Sequence, residues 1–180
     1  MSDYPVWSGS EWLEVDVPEM SGEPIVVPNV AALVFQGSGR DAILLQRRDK
    51  PGEVVRGRLE LPGGRWRAGE APDAAVAREV REETGIELLA VSAGIERMEA
   101  APHVSFAMAR PAAVVNGLEG AYPSLHVMFA CHGVGIPRSQ PGETTDPRWW
   151  ELDEVRSRLV DEPAAFVWHT RAMLRAYFGW

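Results

Sequence analysis

Cysteine is scarce in this chain of 180 residues, which contains only Cys131. A single thiol cannot close a disulfide within the chain, so packing has to stabilise the fold, and nothing indicates an oxidising compartment. Apolar runs of the roughly 18 residues needed to cross a bilayer are lacking, and the first residues carry neither the basic nor the apolar segment of a secretory signal. We therefore expect a cytoplasmic protein that does not bind membranes.

Positive charge is also in short supply. The 18 lysine and arginine residues are outnumbered by 26 aspartate and glutamate residues, which gives a formal net charge of -8. An acidic surface repels polymeric nucleic acid and anionic membranes at long range. The composition therefore argues against a polynucleotide-binding protein, and a phosphate-containing substrate would need a local source of positive charge such as a divalent cation.

The composition does provide a hydrophobic core. Apolar residues make up 46% of the chain and charged residues 24%, which is typical of a globular domain and excludes a disordered or fibrous chain. Residues 1–25 are polar and interrupted by glycine and proline, so we expect an N-terminal arm or a short edge strand there. Residues 26–180 are expected to form one domain.

Strand patterns come first in the chain and helix patterns follow. Apolar and β-branched runs predict strands over 26–35, 42–46, 59–64, 87–92, 125–134 and 148–152, with shorter strands between 94 and 123. Loops are expected at 47–58 and 139–146. Helices are predicted over 71–84, 153–160 and 164–178, and the first of them begins near Pro72 and stops at Gly85. This order predicts an α+β layered fold.

The predicted central helix carries three glutamates on one face. Glu79, Glu82 and Glu83 are spaced i, i+3 and i+4, which places them within about a third of the helix circumference. Like charges at this spacing destabilise a helix by a few tenths of a kcal/mol each, and a hard cation such as Mg²⁺ removes that penalty. Taken alone, the spacing favours an ordinary solvated helix face, so the surrounding residues have to decide.

A longer pattern surrounds these glutamates. It consists of Gly64, Glu70 and the run Arg-Glu-Val-Arg-Glu-Glu-Thr-Gly-Ile at 78–86. This pattern resembles the box of the Nudix hydrolase family: Gly, five residues, Glu, seven residues, Arg-Glu, an aliphatic residue, any residue, Glu-Glu, any residue, Gly and an aliphatic residue. Every specified position is filled, which happens by chance about once in a billion start positions. The preceding Leu-Pro-Gly-Gly turn and the later Trp149 extend the resemblance over 26–149.

The resemblance implies a fold and a ligand set. The fold would be an α/β/α sandwich around a central mixed β-sheet, in which the box forms a loop, a helix and a second loop. Glu79, Glu82 and Glu83 would ligate Mg²⁺ or Mn²⁺, and a backbone carbonyl of Gly63 or Gly64 would complete the binding site.

The resemblance also implies a reaction. Family members cleave a nucleoside diphosphate linked to another moiety, by attack of water on phosphorus. Metal ions neutralise the phosphate oxygens and activate the water, and a carboxylate takes up the proton. Glu79 on the helix, or Glu143 or Asp146 in the later loop, would be this general base, while Arg78 would orient a metal-binding carboxylate and Glu70 would brace the loop.

The substrate class is indicated less directly. The sequence Glu-Leu-Pro-Gly-Gly at 60–64, the N-terminal arm and Pro102, sixteen residues after Ile86, are similar to ADP-ribose-type members. An ADP-ribose-like or nucleotide-sugar diphosphate is therefore favoured, with a nucleoside triphosphate as the alternative and a non-catalytic nucleotide-sensing module as a further one. A homodimer is also expected, because the N-terminal arm carries Trp7 and Trp12 as its anchors and because similar proteins form homodimers.

The remaining unusual side chains predict structural roles. Trp66, inside the box loop, is expected to pack or to make a dimer contact rather than to stack on a base or sugar. The histidines do not show zinc-ligand spacing, and each is expected to be structural: His103, His126, His132 and His169. Cys131 is expected in the core. Isopentenyl diphosphate isomerases share a Nudix-like fold but need a cysteine before the helix, which this chain lacks.

Overall fold

The computed structural model describes residues 3–7, 12–16, 26–101, 104–118, 123–139 and 142–180. Within them, the strands are β1 Asp3–Trp7, β2 Trp12–Asp16, β3 Val27–Gln36, β4 Ala42–Arg48, β5 Leu59–Glu60, β6 Gly63–Arg65, β7 Glu87–Val91, β8 Glu96–Ala101, β9 Val104–Met108, β10 Ala113–Asn116, β11 Ser124–Val134 and β12 Thr144–Glu151. The helices are α1 Pro72–Thr84, α2 Leu152–Asp161 and α3 Trp168–Phe178, with a 3₁₀ turn at Pro163–Ala165. Across these described segments, every helix is too short or too polar to span a membrane.

Eight of the strands form one mixed sheet. Its main order is β10-β11-β3-β4-β12, and β5, β6 and β7 pair with β4, β3 and β11 respectively. β3 and β11 are parallel, and Val27 lies beside Ser124 at the start of the pairing. The other pairs in this sheet are antiparallel. Residues 29–35 of β3 are all buried, which is typical of a central strand covered on both faces.

Helices cover both faces of the sheet. Leu33 and Phe35 belong to a core that also contains the buried residues of α2 and α3. Ala32 and Val34 belong to a second core, shared with α1. Because side chains alternate along a strand, these two sets lie on opposite faces. The predicted α+β fold, an α/β/α sandwich around a mixed sheet, is confirmed.

Two predicted boundaries near the C-terminus are wrong. β12 begins at Thr144, inside the predicted loop, because Thr144 and Thr145 already pair with β4 before a bulge interrupts the register. The last helix begins at Trp168 rather than at Ala164. The Val167 amide donates to the Leu59 carbonyl at 2.9 Å, and this bond holds the chain extended just before α3.

Strands also appear where the sequence was least informative. The region 94–123 contributes β8, β9 and β10, and β8 and β9 form a hairpin that is a sheet of its own. At the N-terminus, β1 and β2 pair with each other, with Trp7 opposite Trp12. Pro102 and His103 lie outside the described residues. The division into an arm and a domain stays a prediction.

Candidate active site

The two adjacent glycines, Gly63 and Gly64, bring the backbone of β6 close to its neighbours. Neither adopts a positive φ. A Cβ added to Gly63 would lie 2.9 Å from the Ala31 Cα and closer still to the Val30 carbonyl oxygen. A Cβ added to Gly64 would lie 2.6 Å from a carboxylate oxygen of Glu79. Close approach is therefore the reason for glycine at both positions.

Helix α1 presents its three glutamates in very different environments. The helix has Pro72 in its first turn and ends at Gly85, which adopts the left-handed conformation at φ 68°. The Glu82 side chain is 46% exposed and that of Glu79 only 13%. Glu83 as a residue is 4% exposed. The acidic face therefore runs from solvent into the interior, so it is not an ordinary solvated face.

Arg78 connects the acidic residues of the box. Its Nε and Nη2 donate to the two carboxylate oxygens of Glu70 at 2.8 and 2.9 Å. Its Nη1 donates to Glu79 and, at 3.3 Å, to Glu82. The hydrogen bonds with Glu70 raise the pKa of Arg78, and the same bonds lower the pKa of Glu70. Arg78 therefore links Glu70 to Glu79 and Glu82, and its orienting role towards a metal ligand stays a prediction.

Glu83 is held from the opposite side, by the sheet. Its Oε2 accepts hydrogen bonds from the Gly63 amide at 2.9 Å and from Gln46 Nε2 at 2.7 Å. Burial raises the pKa of Glu83, and the nearby charge of Glu60 acts in the same direction. Burial also raises the pKa of Glu60, although the guanidinium of Arg48 at 3.5 Å opposes that increase.

Sequence reasoning missed Gln46 and Glu60 as parts of this site. Gln46 follows four consecutive buried apolar residues of β4, and Glu60 lies between Leu59 and Leu61. A polar residue inside an apolar run was the available signal, because burying a polar group is costly unless it has a hydrogen-bonding or functional reason.

The two acids expected in the later loop lie near the C-terminal end of α1. Thr144 donates its hydroxyl to the Glu83 carbonyl at 3.2 Å, which brings the start of β12 to this end of the helix. The Glu143 side chain is 54% exposed and lies 4.0 Å from the ammonium of Lys50. Asp146, half-exposed, lies 3.4 Å from Arg47 Nε. In the part of the chain that is described, neither acid is bonded to a glutamate of α1.

The donors fit a hard divalent cation by their chemistry. Glu79 lies against Gly64 and Glu83 accepts from the Gly63 amide, while Glu82 follows on the same helix, and Mg²⁺ and Mn²⁺ prefer such oxygen ligands. Over the described ranges, however, no three His, Cys, Asp or Glu side chains surround a common point. Glu79 and Glu82 turn towards Arg78, while Glu83 turns towards Gln46. The guanidinium of Arg78 supplies the neutralising charge in this arrangement.

Trp66 has a packing role, as expected. Its ring is partly buried against the core shared with α1, and its Nε1 donates to the Glu70 carbonyl at 2.9 Å. The loop between β6 and α1 is therefore held at both its tryptophan and its glutamate. Cys131 is fully buried, as predicted, and burial raises the pKa of its thiol to about 12.

Two histidines form a stacked pair on the face of the sheet covered by α3. The rings of His126 and His169 are 4.3 Å apart and nearly parallel. Burial lowers the pKa of His126 to about 4 and that of His169 to about 3, so both rings are neutral at pH 7. Ser124 Oγ lies 3.1 Å from His126 Nε2.

Comparison with known proteins places the sequence in a family. Residues 26–174 match the protein family described as NUDIX domain. A MutT-like protein of Streptomyces ambofaciens is 29% identical over 148 residues, which cover 79% of this chain and 75% of that protein. A putative 8-oxo-dGTP diphosphatase 2 of Mycobacterium tuberculosis is 42% identical over 65 residues, 36% of this chain and 43% of that protein.

A solved structure shows the same fold. The crystal structure of a MutT NUDIX hydrolase from Burkholderia pseudomallei has a TM-score of 0.61 and 23% identity, covering 85% of this chain and 98% of that one. The family match extends over most of the chain and includes the complete box from Gly64 to Ile86. The chain therefore belongs to the Nudix hydrolase family.

Proposed function

We propose that this protein is a pyrophosphohydrolase that uses Mg²⁺ or Mn²⁺ to cleave the diphosphate of a nucleoside diphosphate derivative. One observation carries the proposal: α1 carries Glu79 beside Gly64 and Glu83 beside Gly63, and Arg78 links Glu79 to the more exposed Glu82. Nudix hydrolases generally depend on divalent metal ions, and these oxygen donors suit such an ion.

A bound cation would neutralise phosphate oxygens and lower the pKa of an attacking water. The residues of the chain have separate tasks around it. Glu82 is the most exposed of the three glutamates and is therefore the most accessible to a substrate. Arg78, braced by Glu70, keeps Glu79 and Glu82 next to each other despite their like charge.

Glu79 is our choice for the general base. Burial raises its pKa, and the charge of Glu82 acts in the same direction although the contact with Arg78 opposes it. Glu79 also lies on the box helix itself, with its carboxylate beside Gly64. Glu143 and Asp146 are more exposed, and each lies beside a cation, Lys50 or Arg47. They therefore rank behind Glu79.

Two substrate classes are supported by different observations. The sequence from Glu60 to Gly64 and the N-terminal arm favour an ADP-ribose-like or nucleotide-sugar diphosphate, which we place first. A nucleoside triphosphate is the second candidate, because the Mycobacterium tuberculosis relative is named as an 8-oxo-dGTP diphosphatase. A nucleotide sensor without activity is disfavoured, since every acidic position of the box is filled.

A substrate panel tests the proposal. ADP-ribose, nucleotide sugars, dinucleoside polyphosphates and 8-oxo-dGTP are incubated with Mg²⁺ or Mn²⁺, and the products are separated. ADP-ribose would yield AMP and a sugar phosphate, whereas a triphosphate would yield a nucleoside monophosphate and pyrophosphate. Glu82→Gln serves as the matched inactive control. Tight binding without turnover of any compound would favour the sensor and contradict the enzyme.

A further inference from the structure

Gln46 is a fully buried polar residue in the centre of the fold. It lies on β4 after the buried run Ala42–Leu45, and none of its surface is exposed. A buried amide is unfavourable unless its donors and its acceptor are all satisfied. An apolar residue of the same size would suit the core better, so the amide calls for another explanation.

The amide of Gln46 acts as a donor only. Its Nε2 lies 2.7 Å from Oε2 of Glu83 and 3.5 Å from Oε1 of Glu60. Its own Oε1 is buried and has no hydrogen-bond partner among the residues described. When Glu83 is ionised, as a metal ligand has to be, it repels the amide oxygen, so this orientation is the one that suits the proposed site. Gln46 therefore donates to Glu83 while its own amide oxygen stays buried without a hydrogen bond.

The hydrogen bonds to Glu83 distinguish its two oxygens. Both the Gly63 amide and Gln46 donate to Oε2. Neither donor contacts Oε1. Glu60 lies farther from the side-chain amide of Gln46 than Glu83 does. It is also paired with Arg48 at 3.5 Å. The result is a carboxylate fixed through Oε2, which leaves Oε1 clear of both donors.

We propose that Gln46 is a positioning residue for the metal ion: it holds Oε2 of Glu83 so that Oε1 is presented to a divalent cation. The inference rests on the proposed function, because it requires Glu83 to be a metal ligand. Hydrogen-bonded partners behind a metal ligand fix its orientation, and their loss typically weakens metal binding by about 10- to 100-fold.

The test compares two variants of the full chain. Gln46→Met removes the donor while keeping the length and volume of the side chain. Leu44→Met is the matched control, since Leu44 lies two residues earlier on the same face of β4, is equally buried, and belongs to the core shared with α1. Mn²⁺ binding is measured by calorimetry without substrate, and thermal unfolding is measured alongside.

We expect Gln46→Met to weaken Mn²⁺ binding at least tenfold and Leu44→Met to change it less than twofold. In turnover assays, the Mn²⁺ concentration giving half-maximal activity should rise by the same factor in Gln46→Met. KM for the substrate at saturating Mn²⁺ should stay within about twofold. A residue that only fills space would not shift metal activation while leaving KM unchanged.

Unchanged Mn²⁺ affinity in Gln46→Met, with normal binding by the wild type, would overturn the positioning role and leave the proposed function intact. Absence of Mn²⁺ binding by the wild type would instead refute the metal site itself. If Gln46→Met does not fold, Gln46→Asn replaces it, because the shorter side chain withdraws the amide from Glu83. Wild-type affinity in that variant would equally overturn the inference.

Discussion

Replacing each of the two adjacent glycines by alanine should separate folding from chemistry. At Gly63 the new methyl group would meet backbone atoms of β3, the Val30 carbonyl oxygen and the Ala31 Cα. β3 is central in the sheet, so these atoms cannot move without disturbing its pairing with β6. At Gly64 the three nearest atoms to the methyl group would all belong to the carboxylate of Glu79, at 2.6 to 2.8 Å. That carboxylate ends a flexible side chain and can rotate away.

The two costs can be estimated from these contacts. Overpacking costs about 1–3 kcal/mol, and the upper end applies to Gly63 because backbone has to shift. Since 1 kcal/mol lowers Tm by about 2–4 °C in a chain of this size, Gly63→Ala should lose about 6–12 °C. Gly64→Ala should lose no more than about 2–4 °C. The activity of Gly64→Ala should nevertheless fall at least about tenfold, because Glu79 is displaced. This corresponds to an increase of about 1.4 kcal/mol in the activation free energy.

Thermal unfolding followed by circular dichroism measures the loss in Tm. Product formation at saturating Mg²⁺ measures the loss in activity. Both variants are compared with the wild type at the same pH and metal concentration. A Gly63→Ala protein as stable as the wild type would contradict the close approach of β6 to β3. A fully active Gly64→Ala protein would show that the placement of Glu79 does not matter for catalysis.

Four further predictions address the rest of the molecule. Glu82→Gln and Glu83→Gln should each lower turnover at least about a hundredfold, which corresponds to about 2.7 kcal/mol in the activation free energy. Their circular dichroism spectra should stay unchanged. Near-normal activity in both variants would contradict the metal assignment. The lowered pKa values of His126 and His169 mean that the unfolded chain takes up protons first, so the stability that these two histidines contribute should be complete above about pH 6.5 and be lost as the pH drops towards 4. Urea unfolding at pH 7 and pH 5 is compared with that of a double variant with glutamine at both positions, whose stability at pH 5 relative to pH 7 should be higher than that of the wild type. Cys131 should react with a thiol reagent only after denaturation, because it is buried and its pKa is raised; rapid labelling of the native protein would refute its core position. We also propose a homodimer, which sedimentation at micromolar concentration would disprove by showing only a 19.8 kDa species.

Local sequence signals were sufficient for the box helix. Pro72 near its start and Gly85 just past its end predicted a helix over 71–84, and α1 spans Pro72–Thr84. The hydrophobic runs likewise located the central strands, because residues 29–35 of β3 and 128–131 of β11 are buried without interruption and need little context to be recognised. Family resemblance then supplied the α/β/α arrangement that composition and periodicity could not specify.

Features that depend on distant partners were not predictable. The late start of α3 depends on the bond from the Val167 amide to the Leu59 carbonyl, which no local pattern reveals. Gln46 reads as the polar end of a strand until β4, β5 and α1 bring it between Glu60 and Glu83. The different exposures of the box glutamates also follow from packing, because helical spacing alone makes them equivalent.

The parallel pairing of β3 with β11 has a consequence for synthesis on the ribosome. Val27 and Ser124, which begin that pairing, emerge far apart in time, and domains are made from the N-terminus at about 5–20 residues per second. Helix α1 and the glycine turn are therefore complete while the central strand still has an open side. An unpaired apolar strand edge is a site for aberrant association. The nascent chain thus passes through a stage, several seconds long, in which chaperone protection of β3 matters most.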